Sequence, residues 1–189
     1  MAGVLSIEER ENLNKEMLIR TLRCIIDVPQ INFCIVISYD PAALAIAREL
    51  GAKTILESKA TNLNRALQKA TAAAKAFNAT QVLILPADLP LVTSTDIQQF
   101  INLGENFEGM TISSDHRQSG TNALMVNPIG LIDYNFGEWS FRKHIEQAER
   151  KKVHVRVANI QNLQFDLDVP EDLEIIRSME KPIYIAKES

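Results

Sequence analysis

The sequence predicts an α/β protein with a doubly wound, mostly parallel sheet, a small mixed extension of that sheet, and helices on both faces as a three-layer sandwich. Two observations predict this class. Apolar runs of strand length alternate with helical periodicity through the first half of the chain, and the later strands are shorter and hairpin-like. No repeat, low-complexity tract or linker interrupts the pattern, so we expect one domain over residues 1–180 and a C-terminal tail at 181–189.

Amino-acid composition and net charge limit the kinds of protein that this chain could be. Hydrophobic residues make up 46% and charged residues 23% of the 189 residues, as in ordinary folded domains. A net charge of -4 argues against a broad nucleic-acid interface, which needs clustered Lys and Arg. No apolar run approaches the roughly 20 residues of a membrane span, and no secretory signal is present. We therefore expect a cytoplasmic protein that contacts neither nucleic acid nor membrane, with Cys24 and Cys34 as buried thiols.

The first half opens with a helix. Ser6 and Glu9 have capping-box spacing, and apolar residues then recur at helical spacing, which predicts a helix over residues 7–27. Strand composition, helix caps and a terminating glycine predict the other elements of this half: a strand at 33–38, a helix at 40–51, a strand at 53–56, an alanine-rich helix at 62–77, a strand at 81–86 and a helix at 93–103.

The second half predicts shorter strands. The elements expected here are a strand at 110–113, a polar loop at 114–120, a strand at 121–127, a helix at 141–152, a strand at 153–157, a short strand ending at 165–168 and a last helix at 170–179.

The most apolar strand leads directly to Asp88, within 82-VLILPADLPLVT-93. In open parallel sheets, ligands bind beyond the carboxyl ends of the strands, which is where a catalytic or metal-binding carboxylate would lie. An Asp before Leu-Pro also suits an ordinary turn. The local sequence leaves both interpretations open.

A second acidic segment, 165-FDLDVPEDL-173, favours a metal site. Asp166 and Asp168 alternate in an extended segment and would project from the same face. Neighbouring carboxylates repel unless a cation or proton intervenes, and Mg²⁺ prefers oxygen ligands. Asp168 with Glu171 also has capping-box spacing, whereas Asp166 has no such local role. We expect Asp88, Asp166 and Asp168 to share a Mg²⁺ site.

Four motifs, in this order and spacing, carry a family resemblance: 85-LPADLPLVT-93, 119-SGTNALMVNP-128, 136-FGEWSFRKHIEQAE-149 and 166-DLDVPEDL-173. Together they resemble the 2-phospho-L-lactate guanylyltransferases and their relatives that use phosphoenolpyruvate, enzymes of coenzyme F-420 biosynthesis. The resemblance implies a nucleotidyltransferase-like fold of the GT-A type. It also implies a reaction that joins GTP to a phosphorylated three-carbon acid and releases pyrophosphate, with Mg²⁺ as cofactor.

The resemblance also implies site residues. Asp88, Asp166 and Asp168 match the family's metal-binding, catalytic aspartates. Its binding site for the acid's carboxylate corresponds to Thr121, Gly137 and Ser140. Gly137 would let the backbone approach an anion, and Ser140 lies near a predicted helix N-terminus, where N–H groups favour negative charge, although it could also be a plain N-cap.

Further positions carry weaker resemblance. Asn64 would face the nucleotide in the family pattern, although Asn62 stands where Gly is usual. His116 and Arg117 resemble a basic stretch of the family but also suit a solvated loop. Asn122 suits either loop orientation or a turn. His144 suits a packing or surface role, and Arg142 with Lys143 could meet substrate phosphates.

The start of the chain departs from the family pattern. Members begin with a strand and a lysine-bearing loop, whereas the printed sequence opens at Met1 within the segment that follows them. We therefore expect the strands at 33–38 and 82–86 to lack the strand that would separate them. An open strand edge would also allow a homodimer.

Two other functions stay open from the sequence. One is a non-catalytic relative that binds a phosphorylated acid or a protein. The other is a nucleotidyltransferase for a different phosphorylated or pterin substrate, or a sugar-nucleotide glycosyltransferase; 86-PADLP-90 carries one Asp, whereas a glycosyltransferase would favour a pair.

Overall fold

The computed structural model describes residues 6–58 and 62–167. Its helices are α1 (Ile7–Ile26), α2 (Pro41–Glu49), α3 (Leu63–Ala76), α4 (Ser94–Gly104) and α5 (Ser140–Lys151), and a 3-10 turn spans Gln161–Leu163. Its strands are β1 (Ile35–Ser38), β2 (Lys53–Leu56), β3 (Val82–Ile84), β4 (Gly109–Ser114), β5 (Thr121–Asn127) and β6 (Val155–Val157). Each element predicted up to residue 157 is present, with its ends shifted by no more than two residues.

Local capping explains where the helices begin. The Ser6 hydroxyl accepts from Glu9 N–H while the Glu9 carboxylate accepts from Ser6 N–H, which completes the predicted capping box of α1. Thr93 and Asp96 form a second capping box at α4. Asp40 caps α2, with a proline at its first position. Side-chain acceptors at these starts satisfy helix N–H groups that have no intrahelical partner.

The strands form two sheets. One is the parallel pair β1–β2, and the other has the order β3–β5–β4–β6. In the second sheet β5 runs antiparallel to both β3 and β4, whereas β4 and β6 are parallel. The α/β class is confirmed. The mixed part is, however, larger than the small extension expected, because β3, predicted to belong to a parallel sheet, pairs with the antiparallel strand β5.

Strands β1 and β3 do not pair with each other in the described part of the chain. Both strands are apolar yet only partly buried, whereas every residue of β4 and nearly all of β5 are buried. The buried centre of the second sheet is therefore the β4–β5 pair, which is covered on one side by α4 and on the other by α5.

Helix α1 packs against both sheets. Leu18 and Leu22 join the cluster that contains Ala47 of α2 and Val36 of β1. Further along the same helix, Cys24 and Ile25 pack on the cluster formed by α4, β5 and the loop after β3. Hydrophobic burial on the two faces of one helix therefore connects the sheets.

The chain after β6 differs from the prediction. In place of a strand ending at 165–168, the structure has the 3-10 turn Gln161–Leu163, and residues 164–167 belong to no strand. One backbone hydrogen bond to each of two loops holds this segment: Gln164 C=O accepts from His116 N–H, and Leu167 N–H donates to Asp88 C=O. Asp168 and the predicted helix at 170–179 lie outside the described residues.

Candidate active site

The loop after β3 carries Asp88 and is held by α1. The Thr21 hydroxyl donates to Ala87 C=O at 3.4 Å, and the Arg20 guanidinium donates to Val92 C=O at 3.5 Å. Leu89, between these two anchors, is fully buried in the core. Anchored on both sides, Asp88 keeps a fixed, half-buried position at the end of β3.

The second acidic segment lies beside this loop. Leu167 N–H donates to Asp88 C=O at 3.2 Å, which places Asp166, one residue earlier, next to the Asp88 loop. Asp166 is only 8% exposed, and one carboxylate oxygen of each aspartate is inaccessible to solvent. Carboxylates on two neighbouring segments would suit Mg²⁺, which prefers hard oxygen ligands. Within residues 6–58 and 62–167 no third His, Cys, Asp or Glu joins them, and Asp168 lies outside those ranges.

The loop at 114–121 connects the acidic pair to the predicted acid site. The Asp115 carboxylate accepts from the N–H groups of Ser119 at 2.7 Å and Gly120 at 2.9 Å, which closes the loop upon itself. The His116 ring stacks on Phe165 with centroids 5.1 Å apart, beside the backbone bond from His116 to Gln164. The loop therefore contacts the segment before Asp166 at one end and leads into Thr121 at the other.

The predicted acid-binding residues Gly137 and Ser140 come together at the start of α5. Ser140 N–H donates to Gly137 C=O at 3.0 Å, and Phe141 N–H donates to Ser119 C=O at 3.1 Å. Gly137 has φ +119°, a conformation that L residues rarely adopt, and an added Cβ would meet no heavy atom within 4 Å. The backbone at Gly137 is therefore open to a ligand.

Ser140 is the first residue of α5, so the plain N-cap interpretation is wrong. The N-cap is Trp139, which has left-handed backbone angles and provides no side-chain cap. The N–H groups of Ser140 and Phe141 already donate to protein carbonyls. These two groups are therefore not the free N–H donors expected to bind an anion. The helix dipole still favours negative charge at this end.

Thr121 contacts α5 through His144, a residue for which the sequence favoured a packing or surface role. His144 is fully buried, and its Nδ1 lies 3.1 Å from the Thr121 hydroxyl. Its Nε2 accepts from Asn135 N–H at 3.0 Å. Burial lowers the pKa of His144 to about 4, and hydrogen bonding with the Ser140 backbone opposes that shift. The only signal in the sequence was its position four residues after Ser140.

Asn64 has a structural partner. Its amide accepts from Phe136 N–H at 2.8 Å and donates to Phe136 C=O at 3.1 Å, so one side chain holds both backbone groups of the residue before Gly137. Its contact with a nucleotide stays a prediction. These two hydrogen bonds hold the loop that leads to α5 in place.

The other basic candidates have protein partners. The Arg142 guanidinium pairs with Glu146 one turn along α5, and Lys143 donates to Glu138 C=O. Asn122, beside Thr121, is buried, and its amide nitrogen has no hydrogen-bond partner among the described residues.

The cysteine prediction is only partly confirmed: both thiols are unpaired and partly buried, and burial raises the pKa of Cys34 to about 11.

Comparison with solved structures identifies the fold class of this chain. A proposed nucleotide-diphospho-sugar transferase from Desulfovibrio desulfuricans G20 matches with a TM-score of 0.73 at 14% identity, covering 96% of this chain and 80% of its own. A nucleotidyl transferase from Methanothermobacter thermautotroptrophicus matches with a TM-score of 0.65 at 16% identity, covering 86% of this chain and 79% of its own. The fold is that of the nucleotidyltransferases.

Sequence comparison identifies the family. The model of the family described as "Guanylyl transferase CofC like" matches residues 1–180, and this chain belongs to that family. A phosphoenolpyruvate guanylyltransferase from Rubrobacter xylanophilus is 42% identical, with the match covering 74% of this chain and 67% of that protein. A 2-phospho-L-lactate guanylyltransferase from Methanocaldococcus infernus is 37% identical, with coverage of 92% and 75%. The resemblance inferred from the four motifs is confirmed.

The helices in the described ranges were also compared with the requirements of a membrane span. None of them is both long enough and apolar enough to cross a bilayer.

Proposed function

We propose that this chain transfers the guanylyl group of GTP to the phosphate of a three-carbon acid, 2-phospho-L-lactate or phosphoenolpyruvate, in coenzyme F-420 biosynthesis. The guanylyltransferase family and the names of the relatives support the reaction class. One structural observation carries the assignment to this site. Backbone hydrogen bonds join the segments that carry Asp88 and Asp166, through the loop at 114–121, to the start of α5.

The reaction is a single displacement. An oxygen of the acid's phosphate attacks the α-phosphorus of GTP, the bond from that phosphorus to the bridging oxygen of the β-phosphate breaks, and pyrophosphate leaves. The product joins guanosine and the acid through a diphosphate. No protein nucleophile is needed, so the protein lowers the barrier by positioning and by electrostatic stabilisation.

Asp88 and Asp166 are the described residues that would hold Mg²⁺, with Asp168 as the further predicted ligand. When bound, the ion supplies positive charge that offsets the phosphate charge. The two aspartates lie on different segments that a backbone hydrogen bond holds together, so these segments are in place before substrate arrives. Such preorganisation reduces the rearrangement needed during the reaction.

The acid would lie between β5 and the start of α5. Thr121 provides a hydroxyl there, Gly137 provides an unobstructed backbone, and Ser140 provides a hydroxyl at the positive end of the helix dipole. Asn64 would act on this part through Phe136, which it fixes. Binding the acid beside the carboxylate crevice would orient its phosphate for attack.

The direct test is an assay of pyrophosphate release. Purified protein is incubated with GTP, Mg²⁺ and each acid in turn, and with ATP or CTP in place of GTP. We expect pyrophosphate with GTP and at least one acid, together with a guanylylated acid detected by mass spectrometry. Omission of the acid is the control for simple GTP hydrolysis.

Replacing a carboxylate without changing its shape tests the site. We expect Asp166→Asn to reduce kcat by at least about a hundredfold, because a neutral amide is a poor Mg²⁺ ligand. Asp96→Asn is the matched control: Asp96 is also a buried aspartate, but it caps α4 and bonds Asn162. Equal losses in the two variants would remove the assignment to Asp166, and no product from the unaltered protein would refute the function.

A further inference from the structure

We infer that His144 is a positioning residue for the acid substrate: it donates its Nδ1 proton to Thr121 and so directs the Thr121 hydroxyl proton toward the acid. The inference rests on the proposed function, which places the acid at Thr121. It assigns to His144 a role beyond the packing or surface role that the sequence favoured.

The tautomer of His144 follows from its partners. A backbone N–H can only donate, so the bond from Asn135 N–H to Nε2, at 3.0 Å, requires a lone pair on Nε2. The ring is 0% exposed, and an imidazolium in this place would have no solvent around it. The single proton of the neutral ring is therefore on Nδ1.

The orientation of the Thr121 hydroxyl follows from the tautomer. A protonated Nδ1 has no lone pair, so Thr121 cannot donate to it, and the 3.1 Å contact forms with the Thr121 oxygen as acceptor; the Ser140 backbone is a further hydrogen-bond partner of the ring. The hydroxyl proton must then point to another acceptor, and no other hydrogen bond of this oxygen occurs in the part of the chain that the structure describes. A substrate carboxylate provides such an acceptor, and a hydrogen bond to an ionised group is stronger than a neutral one.

The same ring also connects the two halves of the acid site. Thr121 lies on β5, whereas Asn135 lies within the connection between β5 and α5 that also carries Gly137. His144 bonds both, and its ring meets Phe136 edge-on at a centroid distance of 5.1 Å. A change at Nδ1 therefore alters Thr121, while a change at Nε2 alters the loop.

Two substitutions separate these roles. His144→Asn places an amide nitrogen near the position of Nδ1 and retains a donor for Thr121. His144→Gln extends further, and its carbonyl near the position of Nε2 can accept from Asn135 while the donor to Thr121 is lost. Kinetics are measured with GTP and the better acid, varying each substrate separately. We expect His144→Gln to raise KM for the acid about tenfold, as for loss of one oriented hydrogen bond to an ion, and His144→Asn to raise it less.

A double-mutant cycle with Thr121→Val tests whether the two residues act together. If His144 acts through the Thr121 hydroxyl, His144→Gln should have almost no further effect on KM for the acid once that hydroxyl is gone. KM for GTP should stay within about twofold in all variants, a split that general loss of packing would not produce. Additive effects, or equal changes in both KM values, would overturn the inference.

Nuclear magnetic resonance tests the tautomer without relying on catalysis. Long-range ¹H–¹⁵N correlations of the unaltered protein at neutral pH should show a proton on Nδ1 of His144 and none on Nε2. A proton on Nε2 would overturn the inference even if the enzyme is active. Failure of the unaltered protein to release pyrophosphate would instead refute the proposed function, so the two failures are distinct.

Discussion

Acidification should destabilise the fold through His144. Burial lowers the pKa of this residue to about 4 from its ordinary value of 6.5. As the pH falls below 6.5, the unfolded chain therefore binds a proton that the folded chain excludes. The stability associated with a neutral His144 is complete above the unfolded pKa and is lost progressively as the pH falls toward the folded pKa.

The magnitude follows from the two pKa values. Between pH 7 and pH 5 the loss attributable to this residue is about 2 kcal/mol, and over the whole interval it approaches about 3 kcal/mol. Carboxylates with lowered pKa values would add to the acid sensitivity, so the total slope does not isolate the histidine. The contribution of His144 is isolated by comparing the pH dependence of stability of the unaltered protein with that of a variant without the imidazole ring.

Urea unfolding at a series of pH values measures this difference. We expect the unaltered protein to lose about 2 kcal/mol more than His144→Gln between pH 7 and pH 5. His154→Gln is the control for loss of a histidine, since His154 is exposed. Parallel stability curves for the unaltered protein and His144→Gln would refute the burial of a neutral ring.

Three further substitutions test the packing around the site. Gly137→Ala should lower stability by about 1–3 kcal/mol through backbone strain at φ +119°, with no steric clash, and should raise KM for the acid; thermal unfolding and kinetics check both. Gly104→Ala should lower stability by about 1–3 kcal/mol in urea unfolding, because its Cβ would overlap the end of the Met125 side chain and lie 2.8 Å from Oγ1 of the buried Thr111. Asn64→Ala should raise KM for the acid, and hydrogen exchange should show weaker protection at Phe136 N–H, whose bond it removes.

The helices and strands could be predicted because their signals are local. A capping box such as Ser6 with Glu9 and the alternation of apolar runs depend on neighbours within a few residues. Sheet order depends on distant pairing, so nothing local showed that β3 would lie beside β5. The strand expected at 165–168 failed for a related reason. The described residues of this segment form backbone hydrogen bonds with loops and not with a neighbouring strand.

The candidate site was predictable to the extent that its residues lie in motifs. The sequence grouped Asp88, Asp166 and Asp168; a backbone hydrogen bond joins the segments of the first two, and their role as Mg²⁺ ligands stays a prediction. The sequence assigned His144 only a packing or surface role, because its hydrogen-bonding role depends on which atoms its two ring nitrogens contact. Asn64 was selected for the nucleotide, yet its amide is engaged by Phe136. Side-chain hydrogen bonds between residues distant in sequence leave no local pattern.

The connection of the two sheets through α1 has a mechanical consequence. A hydrogen-bond ladder fixes the register of neighbouring strands, whereas a close-packed side-chain interface transmits strain between the elements that it joins. In the described ranges no ladder joins β1–β2 to the larger sheet, and α1 also bonds the loop that carries Asp88. A change of side-chain volume at Leu22 would thus be transmitted as a shift of the carboxylate crevice, although this helix contributes no ligand to it.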